Sequence, residues 1–214
     1  MNNGNEVMNV YEQANLEQVV SERDPFTIER YTQFCRYFTP STKYVLDIGC
    51  NTGRGGTHLK KMNSNLVLHG LDCVQERLDN LPKDYDEKIY GLSNKIPAKD
   101  RTYDAIVAGE FLEHLYPSDV DSTICEFQRV LKLRGRLLMT TPNPYYLRNK
   151  LKNRSVYSDA HLTQHYPKLL KQRLLMHGFS NVRILGSGKM SRYIGYHFPV
   201  RNLYGSFFIA GDKT

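Results

Sequence analysis

From Tyr44 onward the chain alternates short apolar runs with stretches of helical periodicity, and this alternation restricts the fold more than any other feature of its 214 residues. Tyr44-Val-Leu-Asp-Ile reads as a buried strand, Gly53 to Met62 as a helix, Leu66-Val-Leu-His-Gly-Leu as a second strand and Val74 to Leu81 as a short helix. Lys88-Ile-Tyr is a weak third strand and Tyr103-Asp-Ala-Ile-Val-Ala a strong fourth. Ser118 can cap the next helix, whose Val120, Ile124, Phe127 and Leu131 keep one face. Gly135 precedes the strand Arg136-Leu-Leu-Met-Thr-Thr. Pro167 opens a helix through Leu170 and Leu174 that Gly178 closes. Val182-Arg-Ile-Leu and Ser206-Phe-Phe-Ile-Ala end the chain as strands. Such alternation predicts an α/β fold, a parallel or mostly parallel sheet with helices on both faces. Ligands of these sheets bind at the carboxyl ends of the strands, near the switch in strand order, so function is sought in the loops that follow the strands.

Three segments depart from the alternation. Residues 1–40 read as helical, at Asn9-Val-Tyr-Glu-Gln and again from Pro25, where Ile28, Tyr31 and Phe34 recur at helical spacing, before Pro40 and Ser41 break the chain. This segment is expected to pack on a core domain of residues 41–214. Loop insertions interrupt that domain near 143–165 and 186–205. Arg148, Lys150, Lys152 and Arg154 make the first insertion basic against only Asp159; the second carries Arg192, Tyr193, Tyr196, His197 and Arg201. Long connections in a compact domain serve as binding loops about as often as plain surface.

Composition excludes several classes. At 40% hydrophobic and 24% charged the chain can build a core, and no stretch approaches the roughly 20 apolar residues of a membrane span. The amino terminus has neither a basic region nor an apolar one, which leads us to expect a cytoplasmic protein. The net charge of +7 favours anionic partners such as nucleic acid, phosphorylated sugars or a lipid surface, and does not choose among them. Cys35, Cys50, Cys73 and Cys125 form no C-x-x-C pair, so reduced, mostly buried thiols are expected.

The loop after the first strand reads Asp47-Ile-Gly49-Cys50-Asn51-Thr52-Gly53-Arg54-Gly55. Its glycines allow a tight turn and let a ligand approach main-chain N–H groups, and taken alone they suit a plain turn equally well. Asp72, at the end of the second strand, can accept hydrogen bonds from both hydroxyls of a ribose. Asn51 stands where a dinucleotide fingerprint has its second glycine and obstructs a pyrophosphate, while Asp47 suits a ligand with an ammonium group and no phosphate.

Val45-Leu-Asp-Ile-Gly-Cys-Asn-Thr-Gly-Arg-Gly resembles motif I of the class I S-adenosylmethionine-dependent methyltransferases. The resemblance continues through His69-Gly-Leu-Asp72-Cys73, Ile96-Pro97, Tyr103 to His114, Leu131 to Leu138 and His177-Gly178-Phe179, and ends with the closing strand Phe207-Phe-Ile-Ala. It implies a Rossmann-like seven-stranded sheet with the last strand antiparallel, and S-adenosyl-L-methionine as cofactor. Carried over by position, it puts Asp47, Gly49, Cys50 and Gly53 along the methionine part, Asp72 on the ribose, and Cys73 beside the adenine. Gly91-Leu92-Ser93 fills the loop where the family often has an aspartate for the adenine amino group, so Leu92, Ser93 or the backbone must serve there.

Transfer of a methyl group from a sulfonium expels a neutral leaving group, so a protein mainly supplies orientation and a dry site. An alcohol acceptor must also lose a proton, to a general base or under the influence of a metal. Glu110, Glu113 and His114 follow the fourth strand, and if a helix begins there their spacing places them on one face. With His161 from the later loop they can bind a divalent metal; equally, His114 can act as a base without one, with Glu110 touching the cofactor. This E-x-x-E-H with a distant His resembles ubiquinone-type O-methyltransferases and small-RNA 2′-O-methyltransferases. Thr141-Pro-Asn-Pro is not the N-P-P-Y box of DNA amino-methyltransferases, and is more like polysaccharide-cluster methyltransferases. The resemblance thus implies O-methylation of a sugar or small-metabolite hydroxyl, on an acceptor that can be a phosphorylated small molecule or glycan, with Glu110, His114 and His161 as catalytic residues. An RNA 2′-hydroxyl and a non-catalytic cofactor-binding partner protein are the alternatives.

Overall fold

The structure is a computed structural model that describes residues 3–16, 26–158 and 160–214. In chain order the elements are α1 (Asn3–Leu16), α2 (Thr27–Cys35), β1 (Tyr44–Ile48), α3 (Arg54–Met62), β2 (Val67–Asp72), α4 (Gln75–Asp79), β3 (Glu87–Tyr90), β4 (Tyr103–Gly109), α5 (Pro117–Val130), β5 (Leu131–Pro142), α6 (Leu147–Leu151), α7 (Pro167–Met176), β6 (Phe179–Ser187), α8 (Ser191–Ile194) and β7 (Ser206–Lys213). Pro25, read as opening the second helix, and Asp159 lie outside the described residues.

Seven strands form one sheet in the order β3-β2-β1-β4-β5-β7-β6. β1, β2, β3, β4 and β5 pair in parallel, and β7 runs antiparallel between β5 and β6. The expected α/β class, strand number and antiparallel last strand are all present. Successive residues of the inner strands face opposite ways, as the pleat requires. Leu46, Ile106, Leu137 and Phe207 join a cluster with Ile124 and Phe127 of α5 and Leu170 and Leu174 of α7. Their neighbours Val45, Val107, Leu138 and Phe208 join the other, with Tyr31 and Phe34 of α2 and Leu59 of α3. Both faces are therefore covered, which is why the strands read as unbroken apolar runs. Chain order reverses between β1 and β4, so their following loops diverge and open a crevice at the carboxyl edge.

Several local expectations change. Ser118 is not the cap of α5: Tyr116 holds that position without a side-chain bond, and Pro117 occupies the first turn, where a missing N–H costs nothing. Leu131 begins β5 instead of closing the α5 face. No α-helix begins at Glu110; a single 3₁₀ turn, Leu112–His114, stands between β4 and α5. The two insertions contain α6, α8 and a further 3₁₀ turn, Arg201–Leu203. Among the cysteines only Cys50 is buried, and Cys125 is exposed, its Sγ 3.4 Å from His177 Nδ1.

Candidate active site

The turn after β1 is fixed by main-chain bonds before any ligand is considered. Gly49 and Cys50 donate their N–H groups to the Leu71 carbonyl at 2.8 and 3.2 Å. Gly49 has a φ of +63°, and a Cβ there would lie 2.7 Å from the Phe111 ring, so the position needs glycine for conformation and for space. Asn51 follows at φ +51°, a left-handed conformation that Asn tolerates better than most residues. Its N–H donates to Asp72 Oδ2 at 2.9 Å, and the Val74 N–H donates to Oδ1 at 3.0 Å. Arg77 lies 3.9 Å from Oδ1. Burial raises the Asp72 pKa above its ordinary value, while Arg77 and these N–H groups act in the opposite direction. The loop after β1 and the acid after β2 are thus one hydrogen-bonded unit.

This unit is the floor of a cavity. Gly49, Asn51, Asp72 and Cys73 line it with Gly91, Leu92, Ser93 and Asn94 after β3, Glu110, Phe111, His114 and Leu115 after β4, and Asp119 of α5. Tyr11 and Asn15 of α1 and Arg77 of α4 complete the wall. Tyr11 donates to Asp119 Oδ2 at 2.5 Å and accepts from the Tyr116 N–H at 3.0 Å; Arg77 donates to the Asn15 carbonyl at 2.6 Å. Ser93 reaches the cavity with its hydroxyl already bonded to that of Thr123 at 2.9 Å. Asn51 Oδ1 is buried with no hydrogen-bond partner among the described residues.

Three of the residues assigned to the methionine part of the ligand do not line this cavity. Asp47 is fully buried behind it, accepting from Tyr31 at 2.6 Å and Tyr85 at 2.5 Å. Burial holds its carboxyl up at about 7, the charge of Asp72 adds to this, and the two tyrosine hydroxyls oppose it. Cys50 is buried beside it. Gly53 precedes α3 at φ +76°, packed under Pro82, Leu81 and Tyr85. Gly55 and Gly56 leave room for other rings: Cβ atoms there would lie 2.2 Å from Tyr31 and 2.1 Å from Tyr85. Half of the glycine-rich run therefore admits two tyrosines to Asp47 and has no part in the cavity wall.

After β4 the chain turns sharply. Glu110 has a φ of +52° and is held by its N–H to the Thr140 carbonyl at 3.1 Å. Ser206 donates to Glu110 Oε2 at 3.2 Å, and Arg30 Nε lies 3.8 Å from Oε1. Three residues on, Glu113 points into the protein: it is 0% exposed, Thr141 donates to its Oε2 at 3.2 Å, and its Oε1 has no hydrogen-bond partner among the described residues. Burial, then the charge of Glu110, drives the Glu113 pKa well above the ordinary carboxylate range.

The insertion after β5 comes back to this turn. The N–H groups of Leu162 and Thr163 donate to the Glu113 carbonyl at 2.8 and 3.0 Å. The strap brings His161 against His114, ring centroids 4.9 Å apart. His114 Nδ1 lies 2.7 Å from the Ala160 carbonyl and His161 Nδ1 lies 2.9 Å from the Val156 carbonyl. A carbonyl only accepts, so each ring carries a proton on Nδ1, which in a neutral ring leaves the lone pair on Nε2. Burial, then the charge of His161, pushes His114 down to about 4. Ligand atoms of Glu113, His114 and His161 all lie within 4.8 Å of one another; Glu110 is outside this group and lines the cavity instead. His161 does not line the cavity, and His114 is the residue shared between the two.

Of the site residues expected from the sequence, the structure brings together Gly49, Asp72, Cys73, Leu92, Ser93, Glu110 and His114 around one cavity, with His161 adjoining. Tyr11, Asn15, Arg77, Phe111, Leu115 and Asp119 were not anticipated. Phe111 and Leu115 sit within and beside the Glu110–His114 run without carrying its chemistry, Asp119 comes from α5, and Tyr11, Asn15 and Arg77 have no motif around them and are revealed only by the packing of α1 and α4.

A family described as methyltransferase domain matches residues 46–139. A fatty-acid O-methyltransferase of Mycolicibacterium smegmatis is 27% identical over 129 residues, 58% of this chain and 46% of that protein, so the chain spans about half the length of this curated relative. Among solved structures, a SAM-dependent methyltransferase from Archaeoglobus fulgidus superimposes with a TM-score of 0.70 at 19% identity, covering 87% of this chain and 92% of that one. Phosphoethanolamine N-methyltransferase 2 of Haemonchus contortus, in complex with phosphomonomethylethanolamine and S-adenosylhomocysteine, gives 0.64 at 14% identity, covering 86% and 52%.

Proposed function

Residues 46–139 carry a methyltransferase domain set in the class I S-adenosylmethionine-dependent fold, and from that premise we propose that the chain methylates a hydroxyl oxygen of a small molecule or sugar. The observation that carries the reading is the convergence of Glu113, His114 and His161 beside the cavity wall, across from Asp72. S-adenosylmethionine supplies, when bound, a methyl group on a cationic sulfur with a neutral leaving group. The buried carboxylate of Asp72 suits two ribose hydroxyls, Cys73, Leu92 and Ser93 suit an adenine, and Asn51 Oδ1, without a partner among the described residues, suits a donor of the ligand. Phe111 and Leu115 exclude water from the reacting end.

His114 Nε2 then takes the proton of the acceptor hydroxyl, while the Ala160 carbonyl keeps the ring in the tautomer that allows it. Glu110, on the same wall, accepts a hydrogen bond from the acceptor or the cofactor's ammonium group. His161 acts through His114, holding the acceptor side in shape.

Glu113, His114 and His161 also fit a divalent cation. The donor set is one carboxylate and two imidazoles, both imidazoles are oriented by a carbonyl at Nδ1, and Glu113 Oε1 has no other partner among the described residues. A cation held there would lower the pKa of the acceptor hydroxyl. The oxygen acceptor is supported by the O-methyltransferase relative, and the small-molecule class by the phosphoethanolamine enzyme of the same fold. The test is transfer of a labelled methyl group from S-adenosylmethionine into fractionated cell extract, with and without chelator. Label in an alkali-stable small-molecule ether supports the reading; label in RNA moves it to a ribose 2′-hydroxyl, and label in no fraction ends it. Loss of transfer on chelation identifies the metal-bound form.

A further inference from the structure

The insertion that delivers His161 begins as an arch pinned at both ends. At its start Asn143 donates its N–H to the Gly205 carbonyl at 2.8 Å and its side-chain amide to the carbonyls of Tyr204 and Arg201 at 2.8 and 3.0 Å. Its end is strapped to the Glu113 carbonyl through Leu162 and Thr163. Between these anchors Val156 is buried, and many of the other side chains from Tyr145 to Tyr157 are exposed. Arg148, Lys150, Lys152 and Arg154 are exposed, none forms an ion pair among the described residues, and residues 143–158 contain no acid. Leu147 and Leu151, one helical turn apart on α6, are 39% and 79% exposed, and α6 buries no residue. Tyr145 and Tyr157 are exposed on either side of it.

We propose that this arch, residues 144–157, is a docking surface for an anionic lipid bilayer. The juxtaposition of unpaired cations with exposed leucines and tyrosines in one pinned segment selects that partner. Cations alone fit any polyanion, nucleic acid included. Exposed leucines contribute nothing to a phosphate backbone, but gain by entering the boundary between headgroups and acyl chains while the basic side chains stay among the headgroups. Tyrosine is at home at the same depth. The arch leaves the carboxyl end of β5, where Thr141 donates to Glu113, and returns to place His161 against His114, so docking would hold the acceptor side of the cavity close to the lipid surface. Docking itself is independent of the transfer reaction; only its use, access to an acceptor borne by lipid, rests on the function proposed above.

Co-sedimentation with vesicles tests this on the full chain. The protein should bind vesicles of phosphatidylcholine containing phosphatidylglycerol, bind poorly to phosphatidylcholine alone, and be released by salt. Replacing all four bases (R148Q, K150Q, K152Q, R154Q) should weaken binding on the order of a hundredfold, from about fivefold per charge with incomplete additivity. L147S with L151S should weaken it roughly tenfold with every charge in place. These residues are exposed, so an unchanged melting temperature will establish that the variants fold. Inorganic phosphate should not compete. The proposal is overturned if vesicles are not bound, if phosphatidylcholine alone binds as well, or if the leucine pair can be replaced without loss. It is equally overturned if a short RNA is bound in place of the vesicles. Absent methyl transfer with intact vesicle binding would count against the proposed activity alone.

Discussion

On the wall of the cavity made by the turns after β1 and β2, the charged side chain is compensated in place. Asp72 receives two backbone N–H groups and faces Arg77, all within one local stretch of chain. The wall made after β4 is built differently. Glu110 is held in a left-handed conformation with Oε1 lacking a hydrogen bond among the described residues, Glu113 is buried with an oxygen that has no partner among them, and His114 depends on a carbonyl 46 residues away. An unpaired polar group inside a protein costs about 1–3 kcal/mol, so among the described residues the second wall, with two orphaned carboxylate oxygens against the single amide oxygen of Asn51 on the first, carries the larger cost. The first wall is ready for a ligand of fixed identity. The second is incomplete until something with protons or positive charge enters. That contrast is the structural form of a division between binding a cofactor and acting on an acceptor.

The division can be broken by crossed substitutions, and the largest effect belongs to the second wall. His114→Ala should lower turnover by about 10²–10⁴-fold, the usual contribution of a general base, while calorimetry finds S-adenosylhomocysteine bound within about twofold of the native affinity. Asp72→Asn should do the reverse, weakening the nucleoside on the order of tenfold to a hundredfold through the loss of charged hydrogen bonds. If His114→Ala loses the nucleoside, or if Asp72→Asn lowers turnover at saturation as far as His114→Ala does, the two walls are not separate in function.

A third substitution reaches beneath the first wall. Asp47 lies behind the cavity, and its carboxyl is raised to about 7 against an ordinary 3.8. The folded state therefore holds this proton more tightly than the unfolded one. The resulting stabilisation is full below 3.8 and is lost as pH rises to about 7. Its ceiling is about 4 kcal/mol, the shift converted at 1.36 kcal/mol per unit. In urea denaturation the native chain should lose stability relative to D47N as pH rises from about 4 to about 7. Parallel pH curves for the two proteins would show that Asp47 is not titrating in this range, and the glycine-rich run would lose its structural explanation.

The sheet was legible in the sequence because its signals are local: short apolar runs, helices of one-sided periodicity, and the loop order of Gly49, Asp72 and Glu110. The first wall was legible for the same reason, apart from the division of labour among the glycines. Gly55 and Gly56 look like ligand-facing positions until Tyr31 and Tyr85, distant in sequence, are seen to occupy the space. The second wall was legible in residue type but not in arrangement. Spacing after β4 implied one helical face for Glu110, Glu113 and His114. The positive φ of Glu110 instead sends its side chain to the cavity, while Glu113 joins the histidines. Backbone strain at one residue leaves no periodic trace. The roof was not legible at all, since Tyr11 and Asn15 depend on where α1 packs, and nothing in their neighbourhood marks them.

That roof supplies the smallest and most discriminating test. Tyr11 is 5% exposed, and its hydroxyl donates to Asp119 while accepting from the Tyr116 N–H, tying α1 to the start of α5 across the cavity. Burial raises its pKa, so it stays a neutral donor at any working pH. Tyr11→Phe keeps the ring against Tyr116 and removes only the two bonds, a loss of about 1 kcal/mol for the Tyr116 N–H and about 1.5–3 kcal/mol for the Asp119 carboxylate. If α1 is part of the nucleoside wall, the affinity for S-adenosylhomocysteine should fall about fivefold with turnover at saturation unchanged, because the loosened roof touches the ligand and not the acceptor. A fall in turnover with affinity intact would attach α1 to the second wall. No change in either would leave α1 as a cover alone, and the comparison would then rest on the strand ends by themselves.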